Sequence, residues 1–598
     1  MTAEAIITSR DAAFGVARSF AGKFWILNDV PRAQADALSL AAPISPVLAN
    51  ILAARGVTAE TLGDVLEPTL KRLLPEPNSL MNMQKAVARV AAALDARESI
   101  AVFGDYDVDG SASSALVSDF LNALGRKPRI YIPDRLSEGY GPSPAAMQTL
   151  AGEGITLVIT VDCGAAAGAA LKAARDAGID VVVLDHHAVD VAPPDAFAQV
   201  NANQPGDESG LGQLCAAGVT FLFLVALNRH LREAGWYGAN TIVEPDLRDG
   251  LDLVGLATIC DVVPLTGVNR AFVRQGLIKL DAGLRPGLRA LAAVARTQPP
   301  YAPYHLGFVL GPRINAGGRV GRCSLGAELL TAPSDEAAWP LAEQLNLHNS
   351  ERKALEAQIL ETAMAMAGTQ DNAPFLLAAE DGWHPGVVGI VAGRLKDRFG
   401  KPSFVAGFEG GQGRGSARSV GGVDIGAIVR RAREAGVIDT GGGHAMAAGF
   451  SLPAAKLDEF RAFLADSFAN IGDALDAAAQ LQIDAAISPS GGTVELVDEI
   501  ARAGPFGAGN PEPVMVAPDV EVAFADVVGK DHVRLRLTGG DGARLDAIAF
   551  RAVSAPLGQA LLASRGKRIH AVGRLKADEW NGRRRVQLQI EDAGPANV

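Results

Sequence analysis

Three stretches of this chain end in the same way. SIAVFGDYD, ITLVITVDCG and IDVVVLDHH each carry a short apolar run rich in Val and Ile, then stop on aspartate at Asp105, Asp162 and Asp185. Apolar runs this short, with no polar alternation, read as strands buried on both faces of a parallel sheet. The segments between them, SASSALVSDFLNAL, PSPAAMQTLAG and AALKAARDAG, read as covering helices, and PRIYIPD adds a further strand. Strands and helices alternating in this order predict an α/β domain. In an open parallel sheet the C-terminal strand ends share one edge, and ligands bind there. Segments remote in sequence are therefore expected to meet along one line, and what they bring to it is acid.

The acids are concentrated. GDYDVDG holds Asp105, Asp107 and Asp109; VDCG holds Asp162; LDHH holds Asp185, His186 and His187. A fourth segment, GLATICDVVPL, places Asp261 after another apolar run and is expected to end a strand in the same way. Carboxylates so close repel one another unless a cation or protons neutralise them. One such turn reads equally well as a solvated loop; four converging segments do not. Carboxylates with imidazole suit Mn²⁺, Mg²⁺ or Zn²⁺, whereas the spacing and closing glutamate of a calcium loop are missing. Several carboxylates can bridge two cations about 3.5–4 Å apart, an arrangement used to hydrolyse phosphoesters. Asp162, from its place in the sheet, is the candidate for the shared ligand. One of the adjacent histidines can ligate while the other donates to phosphate or leaving group, or supports the ligands from behind.

The chain has 598 residues, enough for about four domains. Residues 1–75 read as a helical lead-in, 76–268 as the acidic α/β domain and 269–372 as a helical connector broken at Pro333 and Pro340. Residues 373–470 read as a second, smaller α/β domain (PFLLAAE, VVGIVAGRLKDRFG, KPSFVAGFEGG), and 475–598 as five or so short strands. That last pattern suits a small barrel, with an OB-fold leading. TGGGH lets backbone N–H groups approach a phosphate, and GSARS adds a hydroxyl and a guanidinium fit for the same anion. His384, in WHPGVVGIV, reads as a cap or packed residue. Phe506, Phe550 and Trp580 read as core more than as stacking platforms, and PFGAGNPEP as a rigid inter-domain turn with no assigned role. A net charge of −12 argues against a protein that coats duplex nucleic acid by bulk charge, though not against a narrow basic channel. Four scattered cysteines, no leader pattern and no long apolar run make a reducing, cytoplasmic, non-membrane setting the expectation.

GDYDVDG, VDCG, LDHH and the Asp261 segment together resemble the DHH phosphoesterase superfamily. Within it the chain is similar to the RecJ family of single-strand-specific exonucleases. PDRLSEGYG, LGPRINAGGRVG, HPGVVGIVAGRL, GSARS and GGGHAMAAG follow in the order that family shows, so the likeness runs over about residues 45–598. The resemblance implies a DHH domain, a DHHA1 domain joined to it by a helix, and a C-terminal OB-fold. It implies two Mn²⁺ or Mg²⁺ ions on Asp105, Asp107, Asp109, Asp162, His186 and Asp261, with His187, Asp162 and Asp105 in catalytic positions. It implies contacts to DNA phosphates from Arg135, Arg313, Ser416, Arg418 and His444. The activity implied is 5′-to-3′ digestion of single-stranded DNA to 5′-mononucleotides in repair and recombination; a single-strand-binding protein, which occupies the same substrate, and a helicase are the candidate partners. The alternative is a phosphodiesterase of the same superfamily acting on short oligonucleotides or cyclic dinucleotides. One departure stands out: some branches, the inorganic pyrophosphatases among them, have histidine where this chain has Phe103, and Asp105 is the residue that can make up the ligand set.

Overall fold

The computed structural model describes residues 12–28, 30–135, 137–189, 194–370, 373–469, 480–580 and 583–596. The chain divides into two compact units. One comprises residues 68–355 with 505–511; the other comprises 1–67, 356–504 and 512–598. The first strand, β1 (Phe24–Leu27), belongs to the second of these, because it pairs in parallel with residues 480–483.

The 68–355 unit is built on a five-stranded sheet of β2 (Ile100–Gly104), β3 (Arg129–Tyr131), β4 (Leu157–Val161), β5 (Asp180–Leu184) and β6 (Ala198–Val200). The order is β3-β2-β4-β5-β6 and every pair is parallel. Side chains alternate across it. Val102, Ile159, Val161, Val182 and Leu184 enter one core, while Ala101, Phe103, Val158, Val181 and Val183 enter the other. Both faces being covered, the strands carry no polar alternation, which is why they read as unbroken apolar runs. β3 and β4 flank β2 on opposite sides, so the chain direction across the sheet reverses there. Such a switch point opens a crevice beyond the strand ends.

Most of the expected helical connector packs into this same unit. Phe272, Leu291, Leu325 and Leu345 all belong to the core that covers β2, β4 and β5. The helix Asp335–Gly368 runs on through Pro340. Pro340 therefore does not break it; it sits in the second turn, where the ring removes one hydrogen bond and the flanking turns are held by tertiary packing. Ser334 starts the helix, its hydroxyl accepting from the Ala337 amide at 3.3 Å.

In the other unit, β7 (Leu376–Asp381), β8 (Ser403–Glu409), β9 (Gln412–Arg418), β10 (Thr440–His444) and β11 (Ala447–Pro453) form a sheet ordered β10-β11-β9-β8-β7. The helix Val388–Phe399 crosses between the parallel pair β7 and β8. Phe404, Phe450, Phe460 and Phe468 fill the core beneath the sheet. Next come β12 (Gln480–Ile483), β13 (Ala485–Ala486), β14 (Met515–Val528), β15 (His532–Thr538), β16 (Arg544–Ala549), β17 (Arg568–Trp580) and β18 (Arg583–Pro595). β14 pairs with both β15 and β17, which closes the sheet into a barrel. Closure removes the free edges that short strands would otherwise expose.

The expected helical lead-in proves to contain a strand, which forms a two-stranded sheet with β12 and packs against the barrel. Trp25 of β1 is fully buried among Val16, Leu481, Ile483 and Val572. Its indole N–H donates to Asp592 at 2.9 Å, and the Ala21 amide donates to the same carboxylate. Among the described residues, no single helix is long and apolar enough to cross a membrane.

Candidate metal centre

The crevice beyond β2 and β4 collects the acids. Asp105 follows β2 directly. Asp107 caps the helix Val108–Ala123, its carboxylate accepting from the amides of Asp109 and Gly110 at 2.9 and 3.1 Å. The motif must close on glycine, since a Cβ at Gly110 would stand 2.4 Å from the Asp105 carbonyl oxygen. Asp109 reaches a different helix, Ala216–Glu233, and accepts from its first two amides, Ala216 and Ala217, at 2.7 and 2.8 Å. The residue before that helix, Cys215, makes no side-chain cap of its own. Asp109 therefore supplies the cap from a remote segment, and the positive end of the helix favours its charge. Asp162 leaves β4 at φ +59, a left-handed conformation that turns the chain sharply at the strand end.

The histidines complete the cluster. His186 Nε2 lies 3.4 Å from Asp162, 3.6 Å from Asp261 and 3.8 Å from Asp109. Ligand atoms converge in three groups: Asp105, Asp107 and Asp162; Asp162, His186 and His187; Asp109, His186 and Asp261. Asp162 thus belongs to two groups, the place expected of a bridging ligand. Two carboxylate oxygens, Asp105 Oδ1 and Asp261 Oδ2, are buried without a hydrogen-bond partner among the described residues. Buried oxygens without donors are what a divalent cation satisfies, and this mixed oxygen and nitrogen set fits Mn²⁺ or Mg²⁺. Without the cation, burial and mutual repulsion push the carboxyls up, Asp109 to about 7 and Asp261 to about 8, with Asp105 and Asp162 also well above the usual range.

His187 is held by Asp185. Its Nδ1 is 2.7 Å from Asp185 Oδ1, while Asp185 also accepts from the amides of Ala165, His186 and His187. A carboxylate only accepts, so Nδ1 carries the proton and Nε2 faces outward, 3.3 Å from the Tyr140 hydroxyl. Burial alone would lower the imidazole, but the bond and charge of Asp185 outweigh it and raise His187 to about 9. The same pair draws Asp185, despite its burial, down to about 2.

One expectation is corrected. Asp261 does not end a strand; it is the C-cap of the helix Leu251–Cys260. LDLVGLATIC is buried nearly all round, so it lacks the polar face that would mark it as a helix. Beyond it Val262 sits at φ +60 and 68% exposed. A branched residue in that conformation is costly, by about 1–3 kcal/mol.

Several supporting residues were not candidates from sequence. Asp185 was quoted with its histidines but given no role. Tyr140 donates to the Asp162 carbonyl at 3.3 Å, and Asn315 accepts from the Val108 amide at 3.0 Å. Asn201 and Asn203 donate to the carbonyls of His187 and His186. Tyr140 and Asn315 lie inside PDRLSEGYG and LGPRINAGGRVG, so those motifs were the available signal.

The basic candidates divide between the units. Arg135 stacks its guanidinium over Tyr106 at 5.4 Å. Arg313 donates to Asn346 Oδ1 and the Val309 carbonyl, and burial with the nearby Arg352 lowers it. Both lie in the 68–355 unit with the acids. Ser416, Arg418 and His444 lie in the other unit, with Ser416 and Arg418 on β9 and His444 at the end of β10. A Cβ at Gly389 would meet Ser416 Oγ at 3.1 Å and Arg418 Nη2 at 3.2 Å, so the start of the Val388–Phe399 helix approaches both side chains. His384 Nδ1 accepts from the Gly386 amide at 3.1 Å, a turn-stabilising role that agrees with its reading as a cap. On the barrel, Phe550 is exposed, while the Trp580 side chain and residues 581–582 lie outside the described residues; Phe506, half-buried, belongs with the 68–355 unit. Phe524, half-buried on β14, carries the guanidinium groups of Arg534 and Arg565 at 5.6 and 5.7 Å from its ring.

Comparison with known proteins agrees with this arrangement. The DHH family N-terminal domain matches residues 99–249, the DHHA1 domain residues 372–470 and the RecJ OB domain residues 483–592. The chain is 36% identical over 573 residues to the single-stranded-DNA-specific exonuclease RecJ of Dickeya dadantii, covering 92% of this chain and 96% of that protein. It is 34% identical to the Escherichia coli protein of the same description, covering 94% and 98%. Among solved structures, RecJ from Thermus thermophilus in complex with Mn²⁺ superposes with a TM-score of 0.80 at 28% identity, covering 95% of this chain and 79% of that one. The Mg²⁺ complex of the same protein gives 0.74.

Proposed function

From the chain's membership of the RecJ family, to which its identity and coverage assign it, we propose that this protein is a metal-dependent exonuclease specific for single-stranded DNA. The observation that carries the reading is the sharing of Asp162 between two groups of ligand atoms at the sheet's switch point. Asp105, Asp107, Asp109, Asp162, His186 and Asp261 are the residues that would hold two Mn²⁺ or Mg²⁺ ions. Such ions supply a water-derived nucleophile at neutral pH and offset charge on the phosphoryl oxygens.

The chain's own residues do the rest. Asp107 and Asp109 are fixed by backbone amides, so their free lone pairs keep one direction. His187, protonated and oriented by Asp185, presents Nε2–H to the scissile phosphate or its leaving oxygen. Arg135 and Arg313 grip neighbouring phosphates of the strand. Ser416, Arg418 and His444 form the substrate face of the DHHA1 domain, and the barrel guides the strand through Phe524 and its flanking arginines. Cleavage proceeds 5′ to 3′ and releases 5′-mononucleotides, in the setting of repair and recombination in the cytoplasm. A single-strand-binding protein and a helicase are the proposed partners, since each occupies or generates the same strand.

The test is hydrolysis of single-stranded DNA labelled at either end, with Mn²⁺, beside a duplex and a cyclic dinucleotide. Release of a labelled mononucleotide from the 5′ end with the duplex intact is expected. Turnover of the dinucleotide alone would move the chain to the small-substrate branch of the superfamily.

A further inference from the structure

PFGAGNPEP, read from sequence as a turn between domains, is bound elsewhere than its neighbours. Residues 505–511 belong with the 68–355 unit, while residues 504 and 512 on either side belong with the other. The segment is a tight turn. The Gly507 amide donates to the Asn510 carbonyl at 3.0 Å and the Asn510 amide donates back at 3.2 Å. The Asn510 side chain is buried and donates to the Pro505 carbonyl at 2.8 Å.

What the turn holds is the chain just beyond Asp261. The Leu265 amide donates to the Ala508 carbonyl at 2.8 Å. Gly509 stands at φ +68, and a Cβ there would lie 2.9 Å from Pro264 Cβ. Gly507 is as close, its Cβ position 2.8 Å from Leu265 Cδ1. From the other side, the buried Asn269 donates through Nδ2 to the Pro264 carbonyl at 2.9 Å and to the Gln213 carbonyl at 2.7 Å. Pro264 and Leu265 are therefore pinned from two directions.

Between these pins and Asp261 lies the strain. Val262 occupies φ +60, in the position after a helix C-cap where glycine normally relieves the turn. A β-branched side chain opposes that conformation; the Val262 amide keeps a bond to the Ile259 carbonyl at 3.3 Å, but the side chain is largely exposed, so no packing offsets the cost. The conformation persists because the residues beyond it are held. If they were released, the junction would relax toward an extended backbone and turn the Asp261 carboxylate out of the group it forms with Asp109 and His186.

We propose that the 505–511 turn is a clasp that positions Asp261 for the metal, acting through Pro264, Leu265 and the strained Val262. The inference rests on the reading of Asp261 as a metal ligand. Gly509, Gly507 and Asn510 are on this account positioning residues, and none of them touches substrate.

The test measures Mn²⁺ binding to the full-length protein without DNA, by loss of the free-ion EPR signal. Gly509→Ala adds the Cβ that Pro264 excludes and is expected to weaken binding at one site by about tenfold, the usual scale for residues that orient ligands. KM for single-stranded DNA at saturating Mn²⁺ should change less than about twofold, because no substrate contact is lost. Adding Val262→Gly to Gly509→Ala should restore most of the Mn²⁺ affinity, since glycine adopts the left-handed conformation unaided. Asp261→Asn separates the two readings. If it weakens Mn²⁺ binding while Gly509→Ala does not, the clasp is overturned and the ligand stands. If Asp261→Asn leaves binding unchanged, the ligand assignment itself falls. Weakening by Gly509→Ala that Val262→Gly does not relieve would also overturn the clasp. Should Gly509→Ala fail to fold, hydrogen exchange of the Leu265 amide in the unaltered protein decides: protection must rise when Mn²⁺ binds, and no change overturns the proposal.

Discussion

The two units present opposite electrostatic deficits. Around β2 and β4, five carboxylates and two histidines crowd one crevice, and two buried acid oxygens lack donors among the described residues. On β9 the reverse holds. Arg418 is half-buried, its Nη1 donates to the Ala417 carbonyl, burial lowers it, and among the described residues no carboxylate pairs with it. Cations would complete the first arrangement and an anion the second. Each deficit is thus a statement about a ligand, and it can be made separately for each unit.

The comparison breaks most completely at Asp162. Asp162→Ala should reduce hydrolysis by about a thousandfold or more while leaving strand binding measurable by fluorescence anisotropy. Full activity in that variant would remove Asp162 from the metal site. On the other side, Arg418→Gln should raise KM for single-stranded DNA by about 10–100-fold, the worth of a charge-assisted contact, with Mn²⁺ affinity unmoved. Loss of Mn²⁺ affinity in Arg418→Gln would show that the two deficits are not independent.

A smaller effect concerns protons. Asp109 and Asp261, raised to about 7 and about 8, hold protons in the ion-free folded protein at pH values where the unfolded chain has released them. The folded state then binds more protons, so these groups make the ion-free protein less stable as pH rises from about 4 toward 8. Mn²⁺ displaces those protons, so its upward shift of Tm should be larger at pH 8 than at pH 6. An equal shift at both would contradict the acid crowding. The smallest effect is a control on the cation-free, anion-free interior. Trp25→Phe deletes the indole bond to Asp592 and should lower stability by about 1–3 kcal/mol in denaturant melts, with both ligand affinities unchanged.

Much of the 68–355 unit could be read from its residues because a parallel sheet writes itself into sequence twice. Its strands are unbroken apolar runs, and the acids of the site follow them directly, as Asp105, Asp162 and Asp185 do. The barrel was legible for the same local reason, and β14 to β18 fall where the strand-like segments lie. Asp261 was seen as an acid yet misplaced, because a helix buried on all sides carries no periodicity. β1 was invisible: four residues, FWIL, pair with a strand near the other end of the chain, and no local pattern records such a partner. The roles of Asp185 and Tyr140 were hidden for another reason. They act on ligands through hydrogen bonds, and spacing does not reveal which acid of a cluster faces inward.

The parallel pairing of β1 with β12 also has a consequence for how the protein is made. Trp25 leaves the ribosome about 450 residues before the strand that buries it. At elongation rates of about 5–20 residues per second, that is a wait of roughly 20–90 s. The 68–355 unit emerges within this interval and, apart from 505–511, needs nothing translated later to build its sheet. The sheet that carries the acidic crevice can therefore be assembled while Trp25 still lacks its partner strand. Trp25 is thus made early and buried late, and the 505–511 turn proposed to hold Asp261 is also a late arrival.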